Sequence, residues 1–385
     1  MASLATSGWH PQVKPEHGLH RLPGGRIRVG GSVYGIAAEV LDPTGAIWTT
    51  LCAADGTRGV EEIVRQVLAA HPGEKAGAVR AALDLFAAAG YLTDAAAPDP
   101  PELTDRDRER HDRGRRFHRW IDLVPRATSW EPQLALKRSR AVVVGLGGTG
   151  GAAALALAAG GVGRLHCVDP DVVELSNLNR QTMYVEDDIG RPKVDAAVAR
   201  LRRLNSDIEV TAERSEVRGP ADLRRLVAGC DVLLLCADRP GAIRAWANRV
   251  CLGAATPWVD AGYHGPVVTA AAYLPRVGPC YECFWLAEHD RRRRDDPAAE
   301  YTVQRESSSA VSASSAGLSG HLAAHLATAL LTGVPAVRPG QLQGINLVAP
   351  DQHFLIAHPP HPRCPAGCGG TPVDAAVVAG RSACR

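Results

Sequence analysis

The chain has 385 residues, of which 45% are hydrophobic, and a formal net charge of +2. This length suits two domains with ample core, and so small a net charge gives no argument for nucleic-acid binding. The N-terminus lacks a basic start followed by an apolar run, and no apolar stretch is long enough to span a bilayer. We therefore expect a cytoplasmic chain with no nucleic-acid or membrane partner.

The first hundred residues predict a small unit of their own. Arg26 to Val29 and Tyr34 to Val40, separated by glycines, have the pattern of a β-hairpin. Apolar residues then recur at helical spacing between Gly and Pro breaks, which predicts three helices, at 44–53, 60–70 and 75–89. The predicted domain boundaries are 1–97 for this unit, 98–130 for a linker and first helix, and 131–385 for a larger domain.

This unit has strands followed by three helices, a D-G-T turn at Asp55 to Thr57 and an ending at Gly90-Tyr91-Leu92. In these features it resembles the small winged-helix domains of the PqqD type. The resemblance implies that the leader of a ribosomally made precursor peptide adds to the edge strand 34–40 beside the helix 75–89. Two alternatives stay open. A DNA-binding winged helix is disfavoured by the acidic residues of the unit, and a purely structural cap would bind nothing.

A glycine-rich turn follows the apolar strand Ala141 to Val144, and about twenty residues later an acidic residue ends the next strand. Glycines let the backbone approach phosphate, the following helix offers unpaired N–H groups, and the acid can hold ribose hydroxyls. A tight strand-to-helix turn without a ligand is the alternative. The candidate nucleotide-binding residues are Gly145, Gly147, Gly148, Gly150, Asp169 and Asp171.

Two further motifs indicate which nucleotide chemistry the turn serves. Ser176-Asn177-Leu178-Asn179-Arg180-Gln181 and Gly190-Arg191-Pro192-Lys193 follow the acidic strand end. From 113 to 370 the chain resembles the MoeB/ThiF family, which adenylates carboxylates with ATP and magnesium. The resemblance implies that Asp169 binds the ribose, that Asn177 and Arg180 contact phosphates, and that Lys193 stabilises the leaving group. Solvated surface charges are the alternative for Arg180 and Lys193.

Asp238 ends the buried strand that begins near Asp231, in the pattern Cys236-Ala237-Asp238. The family's magnesium-binding aspartate occupies such a place, and one carboxylate suffices because phosphates and water supply other ligands. A helix cap is the alternative. Ahead of the glycine turn, Arg116 to Trp120 resembles the family's R-Y-x-R-Q segment, which implies that Arg119 reaches the ATP phosphates of a neighbouring subunit in a homodimer. The alternative is a solvated charged helix or linker.

Close cysteine pairs occur at Cys280/Cys283 and Cys364/Cys368. Four thiolates can close a tetrahedral structural zinc site, with disulfides or free thiols as alternatives. The family uses two C-x-x-C pairs here, whereas the second pair of this chain is C-x-x-x-C. The loop 287–320 contains no cysteine, so we expect no thioester there, and Cys384 is a weak substitute. The remaining cysteines are expected to be inert buried thiols.

These patterns together predict an α/β protein: a Rossmann-like, mostly parallel sheet, extended by antiparallel strands from Trp258 onward and preceded by a small α+β winged-helix unit. The resemblances imply an ATP-dependent adenylyltransferase that activates a carboxylate on a leader-bound precursor peptide. Two alternative functions remain. One is a non-catalytic adaptor that presents the peptide to a partner modifying enzyme, such as a cyclodehydratase. The other is adenylation of the C-terminus of a ubiquitin-like sulfur carrier.

Overall fold

The computed structural model describes residues 8–33, 35–295, 310–349, 351 and 353–370. The chain divides after Leu134 into two compact units. None of the described helices is both long enough and apolar enough to cross a membrane. Predictions that fall on Tyr34, on residues 296–309 of the loop 287–320 and on Cys384 lie outside the described residues.

The N-terminal unit consists of short strands and four helices. A three-stranded antiparallel sheet has the order β2-β3-β4, and β1 pairs with β5 in a separate ladder. The strands are β1 (Pro11–Val13), β2 (Leu19–Leu22), β3 (Arg26–Val29), β4 (Ala38–Leu41) and β5 (Leu92–Asp94). The helices are α1 (Ala46–Ala53), α2 (Val60–Ala70), α3 (Ala76–Ala88) and α4 (Asp105–Ile121), while α5 (Glu131–Arg138) spans the division between the units.

The hairpin β3–β4 and the helices α1 to α3 follow the predicted pattern, whereas β1, β2 and β5 were not predicted. The second hairpin strand begins at Ala38, later than predicted, because Gly35 has a positive φ of 81° and the N–H groups of Ile36 and Ala37 both turn back to the Val33 carbonyl. The charged run after residue 104 is a regular helix, α4. Thr104 begins it with a capping box, accepting from the N–H of Asp107, whose carboxylate accepts from the N–H of Thr104.

The second unit is built on an eight-stranded sheet with the order β13-β12-β11-β10-β9-β6-β7-β8. Its strands are β6 (Arg140–Val144), β7 (Arg164–Val168), β8 (Glu209–Glu213), β9 (Val232–Leu235), β10 (Trp258–His264), β11 (Val267–Tyr273), β12 (Gln341–Asn346) and β13 (His353–Ala357). Its helices are α6 (Gly148–Gly160), α7 (Lys193–Leu204), α8 (Pro220–Val227), α9 (Ile243–Ala254), α10 (Tyr281–Asp295) and α11 (Ala313–Thr332).

The strands from β8 through β7, β6 and β9 to β10 run parallel, and β11, β12 and β13 add antiparallel pairs. The α/β fold with a mostly parallel sheet is thus confirmed. One detail differs from the prediction. The strand that starts at Trp258 is still parallel to β9, because it returns from the crossover helix α9, so the antiparallel extension begins at β11.

Both faces of the sheet are covered by helices, as its continuous apolar strands require. One core forms around α6, α7 and α11, and a second lies around α8 and α9 on the other strand faces. The strand residues Val142 and Val143 are fully buried, in different cores. Burial on both faces fixes the position of the central strand β6, and helix α6 begins just after this strand ends.

Candidate functional site

A cavity of about 1240 Å³ lies where the parallel strands β6, β7 and β9 end. Ligands in open α/β sheets bind at such carboxyl ends, and this volume exceeds the usual pocket of about 300–1,000 Å³ for one small ligand. The cavity lining includes most of the residues predicted from sequence: Gly145, Gly147, Gly148, Asp169, Asp171, Asn177, Arg180, Lys193 and Asp238. Gly150 and Arg119 are outside this lining.

The glycines of the turn have different roles. Gly145 has a φ of 91°, and a Cβ there would stand 2.9 Å from the Cys236 carbonyl. A Cβ at Gly150 would stand 1.7 Å from the Gly145 carbonyl oxygen, so Gly150 allows close packing behind the turn. A Cβ at Gly147 would meet nothing within 4 Å. The turn therefore leaves open space in front of the N-terminus of α6, which is suited to a phosphate.

Asp169 is buried at the end of β7 and is fixed by the backbone around it. Its Oδ2 accepts from the N–H of Leu146 at 2.6 Å, and its Oδ1 accepts from the N–H of Asp171 at 2.9 Å. A carboxylate has about four lone-pair sites, so two remain for hydroxyl donors. The geometry fits the ribose of a nucleotide.

Lys193 and Arg180 bring positive charge to the same cavity. The Lys193 side chain is only 7% exposed, and its Nζ lies 3.0 Å from the carboxylate of Asp171. Arg180 follows a turn of 3₁₀ helix in which the Asn177 carbonyl accepts from the N–H groups of Arg180 and Gln181. Nη1 of Arg180 donates to the Ser176 carbonyl and the Asn179 side chain. These contacts orient two cations beside the glycine turn.

Asp238 follows β9, and its side chain is 84% exposed to the cavity. Arg244 donates from Nη2 to Oδ1 of Asp238 at 2.8 Å and from Nε to Oδ1 of Asp260 at 2.9 Å. Burial raises the pKa of Asp260, and the Arg244 guanidinium opposes that rise. An exposed carboxylate on the cavity wall is a donor that fits Mg²⁺.

Several residues that line the cavity were not predicted from the sequence. Arg244 and Asp260 are two, although Asp260 lies where the parallel pairing of β10 with β9 ends, so the rule that identified Asp238 also applies to it. Gln181 is a third: it is 5% exposed, and its Oε1 has no partner among the described residues. A buried amide oxygen needs a donor. A ligand hydroxyl or amine would supply one.

Beyond these polar groups the cavity has an aromatic wall. Tyr281 and Trp285 are one turn apart on α10, with ring centroids 6.5 Å apart, and Tyr281 contacts Tyr273 at 6.1 Å. Trp285 is 52% exposed. The thiol of Cys236 also lines the cavity, but burial raises its pKa to about 12, so it is protonated at neutral pH. The aromatic wall offers room for a second, less polar substrate beside the nucleotide.

The two cysteine pairs meet in space. All four Sγ atoms lie within 4.8 Å of one another, and none of the four cysteines forms a disulfide. Sγ–Sγ distances are 3.8 Å for Cys280–Cys283, 3.6 Å for Cys280–Cys364 and 3.5 Å for Cys283–Cys368. Zn–S bonds of about 2.3 Å place tetrahedral ligands about 3.8 Å apart. This cluster could therefore hold one tetrahedral metal ion.

Arg119 lies in the N-terminal unit, where it forms a bidentate ion pair with Glu16 at 2.6 and 2.9 Å. Its side chain is 11% exposed. The same unit has a free sheet edge at β4 among its described strands, and Leu41 on β4 and Leu85 on α3 are 70% and 62% exposed. These are the elements to which the sequence assigned a leader peptide.

The model of the ThiF family matches residues 120–366 of the chain. The chain belongs to the ThiF family. Among curated members, the sulfur carrier protein ThiS adenylyltransferase of Escherichia coli is 39% identical over 164 residues, which are 42% of this chain and 64% of that protein. The molybdopterin-synthase adenylyltransferase of Escherichia coli is 36% identical over 183 residues, 47% of this chain and 70% of that protein. Both names support the prediction of an adenylyltransferase.

The similarity of this ThiF-family chain to solved structures extends beyond residues 120–366, the region that the family model matches. Escherichia coli MccB has a TM-score of 0.75 and 19% identity, and the match covers 94% of this chain and 98% of that chain. MccB with ATP has a TM-score of 0.71, 20% identity and coverage of 92% and 99%. The microcin C7 biosynthetic enzyme MccB in complex with N-formylated MccA has a TM-score of 0.70, 20% identity and coverage of 94% and 99%. The shared fold therefore includes strands and helices before residue 120.

Proposed function

We propose that this chain uses ATP to adenylate a carboxylate on a ribosomally synthesised precursor peptide. The observation that carries the proposal is the convergence of Asp169, Asn177, Arg180, Lys193 and Asp238 on one cavity in front of the α6 N-terminus. Redox use of a dinucleotide needs no such set of cations. Acyl adenylation does, because negative charge develops on the triphosphate and the leaving group together.

In this proposal the open turn at Gly147 receives the phosphates, Asp169 holds the ribose, and the orphaned Gln181 oxygen accepts from the nucleotide. Asp238 would hold Mg²⁺, which supplies charge neutralisation on the phosphates when bound. Arg180, with Asn177 beside it, orients the phosphates, and Lys193 neutralises the departing pyrophosphate. A carboxylate oxygen of the peptide attacks the α-phosphorus, and the bond from that phosphorus to the bridging oxygen breaks, so pyrophosphate leaves with the electron pair.

The N-terminal unit supports a peptide as substrate. Its free β4 edge and exposed Leu41 and Leu85 suit the addition of an extended leader strand, and the MccB structures that match across this unit include complexes with MccA. Binding the leader raises the effective concentration of the core peptide at the cavity. The aromatic wall at Tyr281 and Trp285 would receive the residue that carries the carboxylate.

A sulfur-carrier protein is the second candidate substrate, because the curated relatives include the ThiS adenylyltransferase. Its C-terminal tail would enter the same cavity. The N-terminal unit favours the peptide, since residues 1–97 lie outside the family match and resemble a leader-binding domain. A pure adaptor function is disfavoured by the complete set of charged residues on the cavity wall.

We further propose a structural zinc ion at Cys280, Cys283, Cys364 and Cys368, and a homodimer in which Arg119 serves the neighbouring subunit. The sulfur geometry supports the zinc ion. The match of Arg116 to Trp120 with the family segment supports the role of Arg119, which would exchange Glu16 for phosphate.

The test is release of pyrophosphate from ATP in the presence of a candidate precursor peptide, synthesised from a short open reading frame in the neighbourhood of the gene. Arg180→Ala and Asp238→Ala should each lower the rate about 100-fold or more, as loss of a charge-stabilising group does. Arg203→Ala and Asp187→Ala remove the same charges from exposed positions outside the cavity lining and should keep the rate. Activity retained in the first pair would refute the proposal, and activity with a Gly-Gly-ending carrier but not with the peptide would favour the second candidate.

A further inference from the structure

The guanidinium of Arg244 joins two acidic residues of the cavity. It bonds Asp238 through Nη2 and Asp260 through Nε, at 2.8 and 2.9 Å. The side chains of Arg244 and Asp260 are 23% and 17% exposed, whereas that of Asp238 is 84% exposed. A largely buried ion pair thus holds one side of an exposed carboxylate.

The three residues come from elements of different rigidity. Asp260 lies on β10, where it is aligned with Leu235, the last residue of β9, and Arg244 lies in the first turn of α9. Asp238 lies in the connection between β9 and α9, outside regular structure. The planar fork of an arginine restrains carboxylates in both direction and distance. Arg244 therefore ties a loop carboxylate to a strand and a helix.

Resting on the proposed function, we propose that Arg244 is a positioning residue, which holds the Asp238 carboxylate in the orientation that binds the divalent cation of the ATP complex. Charge alone predicts the reverse role. An arginine beside a cation site repels the cation and competes for its ligand, so its removal would strengthen metal binding. If Arg244 is a positioning residue, its removal weakens metal binding, because the free Asp238 side chain then loses conformational freedom when the cation binds. The two roles differ in the sign of one measurable change.

The experiment measures binding of Mn²⁺ to the full-length chain, held in excess over ATP and without peptide, as the loss of the free-ion paramagnetic resonance signal beyond the loss that the same ATP causes without protein. Arg244→Gln should lower the Mn²⁺ affinity about tenfold or more, the usual cost of losing a group that orients a metal ligand. Arg239→Gln is the matched control. Arg239 is exposed, lines the same cavity and follows Asp238 directly, so this variant removes an equal charge without touching the bridge, and its affinity should stay equal or rise.

An unchanged or higher Mn²⁺ affinity in Arg244→Gln overturns the proposal. Thermal unfolding and ATP binding in excess chelator show whether that variant is folded. If it is not, Arg244→Lys decides, since it keeps the charge but cannot span both carboxylates: reduced affinity supports the positioning role, and wild-type affinity refutes it. A wild-type chain that binds no Mn²⁺ with ATP refutes the proposed function instead, so the two failures are distinct.

Discussion

Lys14 is a buried amine in the N-terminal unit. Its Nζ donates to the Asp122 carbonyl at 2.5 Å, and the residue is only 5% exposed. Burial lowers the pKa of Lys14 from 10.5 to about 8, and the Asp122 carboxylate opposes that change. Below pH 8 the folded chain therefore keeps a charge out of water that the unfolded chain exposes. Such a group opposes folding at neutral pH.

This burial predicts a pH-dependent stability difference between wild type and Lys14→Met. Between pH 8 and pH 10.5 the unfolded lysine holds its proton and the folded one does not, so wild type gains stability as the pH rises through that window. The gain relative to Lys14→Met should reach about 3 kcal/mol, since one pKa unit corresponds to about 1.4 kcal/mol. Urea unfolding near pH 7 and near pH 10 measures it.

The exposed Lys75 supplies the control, because Lys75→Met should follow wild type at both pH values. If the difference in unfolding free energy between wild type and Lys14→Met is the same at both pH values, burial does not lower the pKa of Lys14 and the prediction is wrong.

The site residues that could be predicted from the sequence are those whose position depends on a local pattern of the chain. The glycine turn, Asp169 and Asp238 each follow an apolar strand, and such positions meet at one edge of a parallel sheet, so their convergence was predictable. Arg244 was not found, because its two partners depend on the path of the loop after β9 and on the register of β9 with β10. Neither leaves a mark in the sequence.

Among the elements, the close packing of α11 on α6 has the sharpest consequence. A Cβ at Gly320 would stand 2.3 Å from the Thr149 carbonyl oxygen in the first turn of α6, and Thr149 also shares a hydrogen bond with Ser319 at 2.6 Å. Gly320→Ala must therefore shift the start of α6. We expect a loss of about 1–3 kcal/mol in stability and a weaker affinity for ATP.

Gly317 on the same helix is a matched control, since a Cβ there meets nothing within 4 Å. Gly317→Ala should leave ATP affinity unchanged and stabilise the chain by about 0.5–1 kcal/mol, because alanine loses less backbone freedom in a helix. Calorimetric ATP titration and thermal unfolding of both variants measure these effects. Equal behaviour of the two variants would show that α11 does not restrain the nucleotide turn.

The cysteine cluster predicts a metal-dependent element. Cys280 directly precedes α10 and Cys283 lies in its first turn, and Tyr281 and Trp285 at the same end of this helix line the cavity. Metal removal should therefore loosen both the tail and this wall. We expect about one zinc ion per chain by mass spectrometry, and a fall in Tm of about 5 °C or more on chelation, which corresponds to about 2 kcal/mol in a domain of this size.

Serine variants assign the metal. Cys283→Ser and Cys368→Ser should lose it, whereas Cys52→Ser should keep it, because Cys52 is an exposed thiol in the N-terminal unit. Full metal content in Cys283→Ser would refute the site. The cluster was predictable because two close cysteine pairs restrict metal geometry strongly, while the later start of β4 was not, since it depends on the backbone turn around Gly35.

For the whole molecule, the proposed dimer makes a prediction about mixed subunits. If Arg119 acts on the neighbouring site, a dimer of one Arg119→Ala subunit and one Asp238→Ala subunit contains one intact site. Mixing the two inactive variants should then restore up to about a quarter of the wild-type rate of pyrophosphate release, because random exchange places half the subunits in mixed dimers and each mixed dimer holds one site of two.

The control mixes Asp238→Ala with Arg180→Ala. Both residues act in the cavity of their own subunit, so each site of a mixed dimer keeps one defect. This mixture should stay inactive. Full inactivity of the Arg119 mixture would show that Arg119 does not serve the neighbouring site. Sequence alone did not reveal the ion pair of Arg119 with Glu16, because the two lie 103 residues apart. The resemblance to the family segment identified Arg119 as a candidate site residue, but its pairing with Glu16 is visible only in the folded chain.

The cysteine cluster joins chain segments that lie more than eighty residues apart. The entropy of closing such a loop grows slowly with its length, and doubling the loop costs only about 0.6 kcal/mol. Insertions in the connections between α10, α11 and β12 are therefore cheap, as long as both cysteine pairs remain held. A lineage of such chains can lengthen those connections, while α11 keeps its close packing on α6 and the nucleotide site stays unchanged.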